Sequence, residues 1–110
     1  MSAEGTELPS PRRFTRLLGL MVDDQARYAE YRAAMTPILH AHGGDFGVDL
    51  DVARVLKSPA DGPLNRVFTI GFPSREAYER FFANADYLAV RAKFFAPAVS
   101  RVCVLAQWED

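Results

Sequence analysis

At 110 residues, with 49% apolar and 25% charged residues and a formal charge of −1, the chain has the makeup of one globular domain with room for a modest core. Lys and Arg are scattered rather than gathered into a stripe, which argues against nucleic acid as a partner, and no apolar run reaches bilayer-spanning length. One cysteine, Cys103, excludes an internal disulfide framework; with a polar N-terminus that lacks a signal-like apolar stretch, this predicts a cytoplasmic address.

In chain order, residues 1–12 contain Gly5, Pro9 and Pro11 with little apolar content and read as a mobile leader, so that one domain covers 13–110. "FTRLLGLMV", Phe14 to Val22, is a buried strand that runs into the capping residues Asp23 and Asp24. The helix that follows places Tyr28, Tyr31, Met35, Ile38, Leu39 and His42 on one stripe. Pro37 should kink this helix or begin a separate last turn, because it has no N–H to donate to the carbonyl four residues earlier. Gly43 and Gly44 then stop it, one of them in the left-handed C-cap conformation.

"DFGVDLDV" alternates, which predicts a strand with Phe46, Val48, Leu50 and Val52 on one side and a β-bulge after Val52. "KSPADGPLN" is a loop by composition, and "RVFTIGF" is a third strand with Phe68, Ile70 and Phe72 on one side. Ser74 caps a second helix, with Glu76 in its first turn where a carboxylate suits the helix dipole. A further short helix is expected from Tyr87 to Phe95, ending near Pro97, and "RVCVLAQW" closes the chain as a fourth strand. On that last strand Val102, Val104 and Trp108 are expected on one side, Cys103 and Leu105 on the other.

The order β-α-β-β-α-β defines an α+β, ferredoxin-like fold: a four-stranded antiparallel sheet with its helices on one face. The other face should then be bare. Yet the first and last strands carry apolar residues on both sides, Leu18, Leu20 and Val22 against Leu17 and Met21 in the first. A sheet with one wet face alternates apolar with polar. Too little chain remains to cover that face, so the pattern predicts a homodimer that packs sheet against sheet as a dimeric α+β barrel.

Several of these residues also fall in a family pattern. The spacing of Tyr28 and Tyr31, then Pro37, His42-Gly43-Gly44, "FPS" (Phe72 to Ser74), the pair Phe81-Phe82, "NADY" (Asn84 to Tyr87) and Arg91 resembles the uncharacterised domain-of-unknown-function family numbered thirteen-thirty. That resemblance covers nearly the whole chain from Phe14 onward and implies a dimeric α+β barrel, without implying a reaction. The wider superfamily includes cofactor-free monooxygenases, lactone isomerases, haem-dependent enzymes and small-molecule-sensing domains, and fold alone does not choose among them. Gly71 stands where members commonly carry an acidic residue, and "GVDLDV" replaces a basic-glycine pattern, so an inherited ligand preference does not carry over.

The stretch "HAHGGDF", His40 to Phe46, looks at first like the edge of an active site. His42 on the apolar stripe suits a general base or ligand; the plainer reading is a helix-end histidine bonded to a terminal carbonyl. His40 points roughly 160° away at 100° per residue, so the two do not share a metal ion, and no zinc-type Cys or His spacing exists elsewhere. No metal or cofactor is expected. Tyr28, Tyr31 and Tyr87 combine an apolar ring with a hydroxyl that needs a partner when buried, and Arg91, one turn after Tyr87, suits an anionic or enolate-like oxygen. The plainer reading makes the tyrosines core and pairs Arg91 with a carboxylate such as Asp86. Phe81, with Phe82, Phe94, Phe95 and Trp108, would line an apolar cavity beside them; the plainer role is to fill the core.

The candidate site is therefore His42 and Arg91 as catalytic groups, with Tyr28, Tyr31, Tyr87 and Phe81 around a small ligand. The corresponding function is small-molecule binding, extending to cofactor-independent monooxygenase-like or isomerase-like chemistry on an apolar or aromatic compound. The rival is a non-catalytic dimeric interaction or effector-sensing module. A polar-lined cavity favours the first and a filled interior the second.

Overall fold

The computed structural model describes residues 13–58 and 62–110; the expected leader over 1–12 lies outside them. The elements are β1 (Phe14–Val22), α1 (Gln25–Ala41), β2 (Asp45–Asp51), β3 (Arg66–Phe72), α2 (Arg75–Ala83), α3 (Ala85–Val90), a π-helical turn (Arg91–Phe95) and β4 (Val99–Glu109). The strands form one antiparallel sheet in the order β2-β3-β1-β4, which is the expected ferredoxin-like arrangement.

Each helix starts where a side chain satisfies an orphan backbone N–H. The carboxylate of Asp24 accepts from the Arg27 N–H at 3.0 Å, Ser74 Oγ from Ala77 at 3.1 Å, and Asn84 Oδ1 from Tyr87 at 3.0 Å. At the end of α1, Gly43 takes φ 76°, and the N–H groups of Gly43 and Gly44 donate to the carbonyls of His40 and Leu39. Contrary to expectation, Pro37 does not divide α1, which runs unbroken from Gln25 to Ala41. Pro37 and Ala33 both lie on the exposed side, where water can take the carbonyl that proline leaves without a donor. The last helical segment also differs from expectation. It begins earlier, on Asn84, and after Val90 it widens, the Ala96 N–H reaching back five residues to the Arg91 carbonyl.

Pairing shifts register at three places, once between β2 and β3 and twice between β1 and β4. On β2, Phe46 stands opposite Ile70 and Asp49 opposite Phe68, so β2 uses one residue more than β3 over that step. The Thr69 hydroxyl accepts the freed Val48 N–H at 2.9 Å. The slip therefore lies before Asp49 rather than after Val52. Phe46 and Asp49 share the helix face while Leu50 joins Val67 on the other, which corrects the alternation expected from the sequence. On β4, Leu18 faces Val104 but Leu17 faces Ala106, leaving Leu105 as the extra residue. Trp108 thereby lands opposite Thr15, on the same face as Cys103, and not with Val102 and Val104 as expected.

The core lies between the sheet and the helices. Leu20, Phe68, Ile70 and Phe72 from the strands meet Tyr28, Tyr31, Met35 and Leu39 from α1, with Phe81 and Tyr87 beyond. Each such side chain, once buried, contributes about 1.5–3 kcal/mol relative to exposure. The opposite face is half-buried. Leu64, from the segment between β2 and β3, lies so close over Gly19 that a Cβ there would meet its Cδ1 at 2.6 Å. The chain itself thus supplies part of the cover for this face, which corrects the expectation that none was available. Trp108 at 42% and Leu50 at 50% exposure remain open.

Candidate functional site

The helix side of the sheet does not pack solidly against α1 and α3. A cavity of about 290 Å³ separates them, at the small end of ligand-binding cavities. Leu18, Leu20, Phe68 and Ile70 form its floor, because β1 and β3 pair in a register that sets these four on one face. Tyr28, Tyr31 and Met35 of α1, at helical spacing, form the roof with Tyr87 and Phe95. The mouth follows β4, where the lining residues Val102 and Val104 are 49% and 46% exposed.

The polar groups on this wall are phenols and guanidinium groups. The hydroxyls of Tyr31 and Tyr87 lie 2.8 Å apart in a buried hydrogen bond that ties α1 to α3. Burial raises the pKa of both above the usual phenol value, most strongly for Tyr31, while the Arg91 guanidinium pulls each back. Tyr28, raised chiefly by burial, accepts a hydrogen bond from Arg32 Nε at 2.8 Å. Neutral phenols, not phenolates, therefore face the cavity. In the Tyr31–Tyr87 pair one hydroxyl donates and the other accepts; the accepting phenol keeps its own proton, for which the described residues supply no acceptor.

Arg32 also belongs to a clamp that positions the α1 end of the site. Its Nη1 and Nη2 donate to both oxygens of Asp49 at 3.0 and 3.1 Å, and Arg66 makes a second fork on the same carboxylate at 2.9 and 3.0 Å. The guanidinium of Arg32 lies 3.9 Å from the centre of the Phe46 ring, a cation–π contact. The hydrogen bonds from Arg66, with those from Arg32, hold the Asp49 carboxyl at about 2, against the opposing effect of burial.

The structure brings Tyr28, Tyr31, Tyr87 and Arg91 to one cavity. Phe81 stands behind the wall, its ring 4.3 Å centre to centre from Tyr87. His42 lies elsewhere. Its Nδ1 is 2.9 Å from the Ile38 carbonyl oxygen, to which it donates, and its ring packs edge-on against Phe81 at 5.7 Å. His40, exposed, sits 3.4 Å from Asp45. Among the described residues no three His, Cys, Asp or Glu side chains converge, and no helix is long and apolar enough to cross a membrane.

Four functional candidates escaped sequence reasoning: Arg16, Arg32, Asp49 and Arg66. Arg32 was available, since it lies one turn after Tyr28 on the same side of α1. Asp49 was hidden by the bulge, which turns it toward the helices. Arg16 follows Phe14 in alternation on the helix face of β1; its Nε donates to Gln107 Oε1 at 3.1 Å, and its guanidinium lies 4.7 Å from the centre of the Tyr78 ring.

These features define an α+β, ferredoxin-like protein with a cavity beneath its helices, and solved structures share its fold. A protein of unknown function from Rhodopseudomonas palustris matches at TM-score 0.77 and 17% identity, over 90% of this chain and 82% of its own. A dimeric ferredoxin-like protein of unknown function from Thermobifida fusca matches at 0.58 and 14%, over 96% of each chain. The hydroxynitrile lyase from Passiflora edulis matches at 0.62 and 18%, over 91% and 94%. Identities this low establish the fold alone. No curated protein sequence matches the chain. The family is shown directly: the chain belongs to the one described as Domain of unknown function (DUF1330), whose model matches residues 17–107.

Because the Asp49 pKa is depressed on folding, its ion pairs stabilise the protein above the carboxyl's unfolded pKa of about 4, and this share is lost as pH falls through about 2. Asp49→Asn should cost about 1–2 kcal/mol at neutral pH, a modest figure because the pairs are partly solvent-exposed. Urea unfolding between neutrality and pH 2 should show the gap between variant and parent closing across that acid window. A gap independent of pH would disprove the role assigned to Asp49.

Proposed function

We propose that this protein binds a compact, mostly apolar organic molecule in the cavity between its sheet and helices, and that it works as a homodimer joined through the other face of the sheet. The observation that carries the reading is the cavity itself: apolar floor and roof, with the Tyr31–Tyr87 hydroxyl pair set into the wall. A filled interior would have favoured a purely structural module. The size suits a single aromatic ring better than an extended cofactor.

Binding fits the wall better than proton-transfer catalysis by this chain alone. The residues that line the cavity include neither carboxylate nor imidazole, burial holds the phenols of Tyr28, Tyr31 and Tyr87 neutral, and a guanidinium does not give up its proton. Donors suited to an oxyanion are present; a general base is not. This favours an effector-sensing or carrier role over an isomerase-like one. The hydroxynitrile lyase among the similar structures is, by its name, an enzyme acting on a small molecule, and it supports a pocket in this architecture rather than that reaction here.

Dimerisation is supported by the half-covered sheet face, where Trp108, Leu50 and the half-buried Leu17, Met21 and Cys103 stay accessible, and by a structurally similar protein described as dimeric.

Binding of benzamide, an uncharged one-ring probe, should raise the melting temperature and shift amide resonances of residues around the cavity. Val104→Trp, at the exposed mouth, and Ile70→Trp, in the floor, should each abolish these effects. A silent benzamide titration, or one unchanged by both substitutions, would refute the proposed cavity function. Sedimentation of the full chain at micromolar concentration should give a dimer, and Trp108→Glu should shift it toward monomer. A monomeric parent would remove the assembly.

A further inference from the structure

We propose that the natural ligand is an organic anion, a small aromatic or aliphatic carboxylate, received by Arg91 and Arg16 at the two ends of the cavity mouth while the Tyr31–Tyr87 pair donates from the wall. This rests on the reading of the cavity as a small-molecule site and names the class of molecule it takes.

The charge pattern carries the inference. Three arginines line the cavity, Arg16, Arg32 and Arg91, and no Asp or Glu does. Arg32 is matched by Asp49 through two hydrogen bonds. The other two have no such match: among the described residues no carboxylate reaches ion-pair distance of Arg16 or Arg91. Arg16 is held by an uncharged amide, Gln107, and the guanidinium of Arg91 lies 5.2 Å from the centre of the Phe95 ring. Asp86, which the sequence offered as a partner for Arg91, does not pair with it.

A solvated surface arginine often goes unpaired, so position matters as much as pairing. Both residues stand on a wall whose remaining surface is largely apolar, and there a fixed positive charge is screened less than in bulk water. The π-helical turn is what keeps Arg91 at the mouth. Its extra width brings Phe95 onto Tyr31, with ring centres 4.9 Å apart, while Arg91 at the start of the turn stays beside Val102. Arg16 sits at the other end, opposite Gln107, four residues along β1 from the Leu20–Val102 pair, or roughly 13 Å at the usual strand rise. A ligand entering between them meets a guanidinium fork on either side, the geometry that suits a carboxylate, and then the apolar floor.

The test compares benzoate with its neutral isostere benzamide by isothermal titration calorimetry at neutral pH and low ionic strength, on the full chain. Benzoate should bind about tenfold more tightly, the difference shrinking with added salt. Arg91→Gln, at an exposed position, should remove most of that advantage, weakening benzoate several-fold more than benzamide; Arg16→Gln should act in the same direction. Equal affinities, or equal loss of both probes in Arg91→Gln, would overturn the anion assignment and leave the cavity function standing. Failure of both probes to bind would overturn the two together.

Discussion

A single bond between two phenols decides what the interior of this protein can be. Tyr31 comes from the middle of α1 and packs on Phe95, Tyr87 comes from the start of α3 and packs on Phe81, and their hydroxyls meet at 2.8 Å. Two hydroxyls buried without partners would each cost about 1–3 kcal/mol, so once the rings are buried the helices are held in the one arrangement that lets them meet. That arrangement stands the roof off the sheet. The space beneath is the cavity.

The remaining polar contacts support this roof from the side. The bulge at Gly47 and Val48 turns Asp49 under α1, where one carboxylate holds both Arg32 and Arg66, and Arg32 in turn holds the Tyr28 hydroxyl. A charge pair at the protein surface contributes little, but two forks on one acid also fix direction. Tyr28 thus keeps its ring over the floor while Arg32 holds its hydroxyl. The division of labour among the arginines follows: Arg32 and Arg66 are engaged by Asp49, whereas among the described residues Arg16 meets the Gln107 amide and the Tyr78 ring, and Arg91 the Phe95 ring, with no carboxylate partner.

Much of this was legible in the sequence because it depends on local periodicity. The helical spacing of Tyr28 and Tyr31, the glycine stop at Gly43 and the one-turn step from Tyr87 to Arg91 all carried through to the structure. What could not be read was phase. Strand alternation has period two, so one inserted residue reverses every side chain beyond it, and nothing local distinguishes Leu105 or Val48 as the residue that slips. Those slips misplaced Trp108 and concealed Asp49. For His42 the plainer of its two readings holds: its Nδ1–H donates to the Ile38 carbonyl at the end of the helix, as a helix-end histidine does. The partial cover that Leu64 gives the far face was equally out of reach, since it depends on how a turn-rich loop folds back.

The most direct measurement is a double-mutant cycle on unfolding free energy with Tyr31→Phe, Tyr87→Phe and the two combined. If the hydroxyls act as one unit, each single change strands a buried partner, and the double change costs less than the sum, with a coupling of about 0.5 kcal/mol or more. Strictly additive losses would mean that the two phenols do not depend on each other, and that something else holds α3 over the sheet.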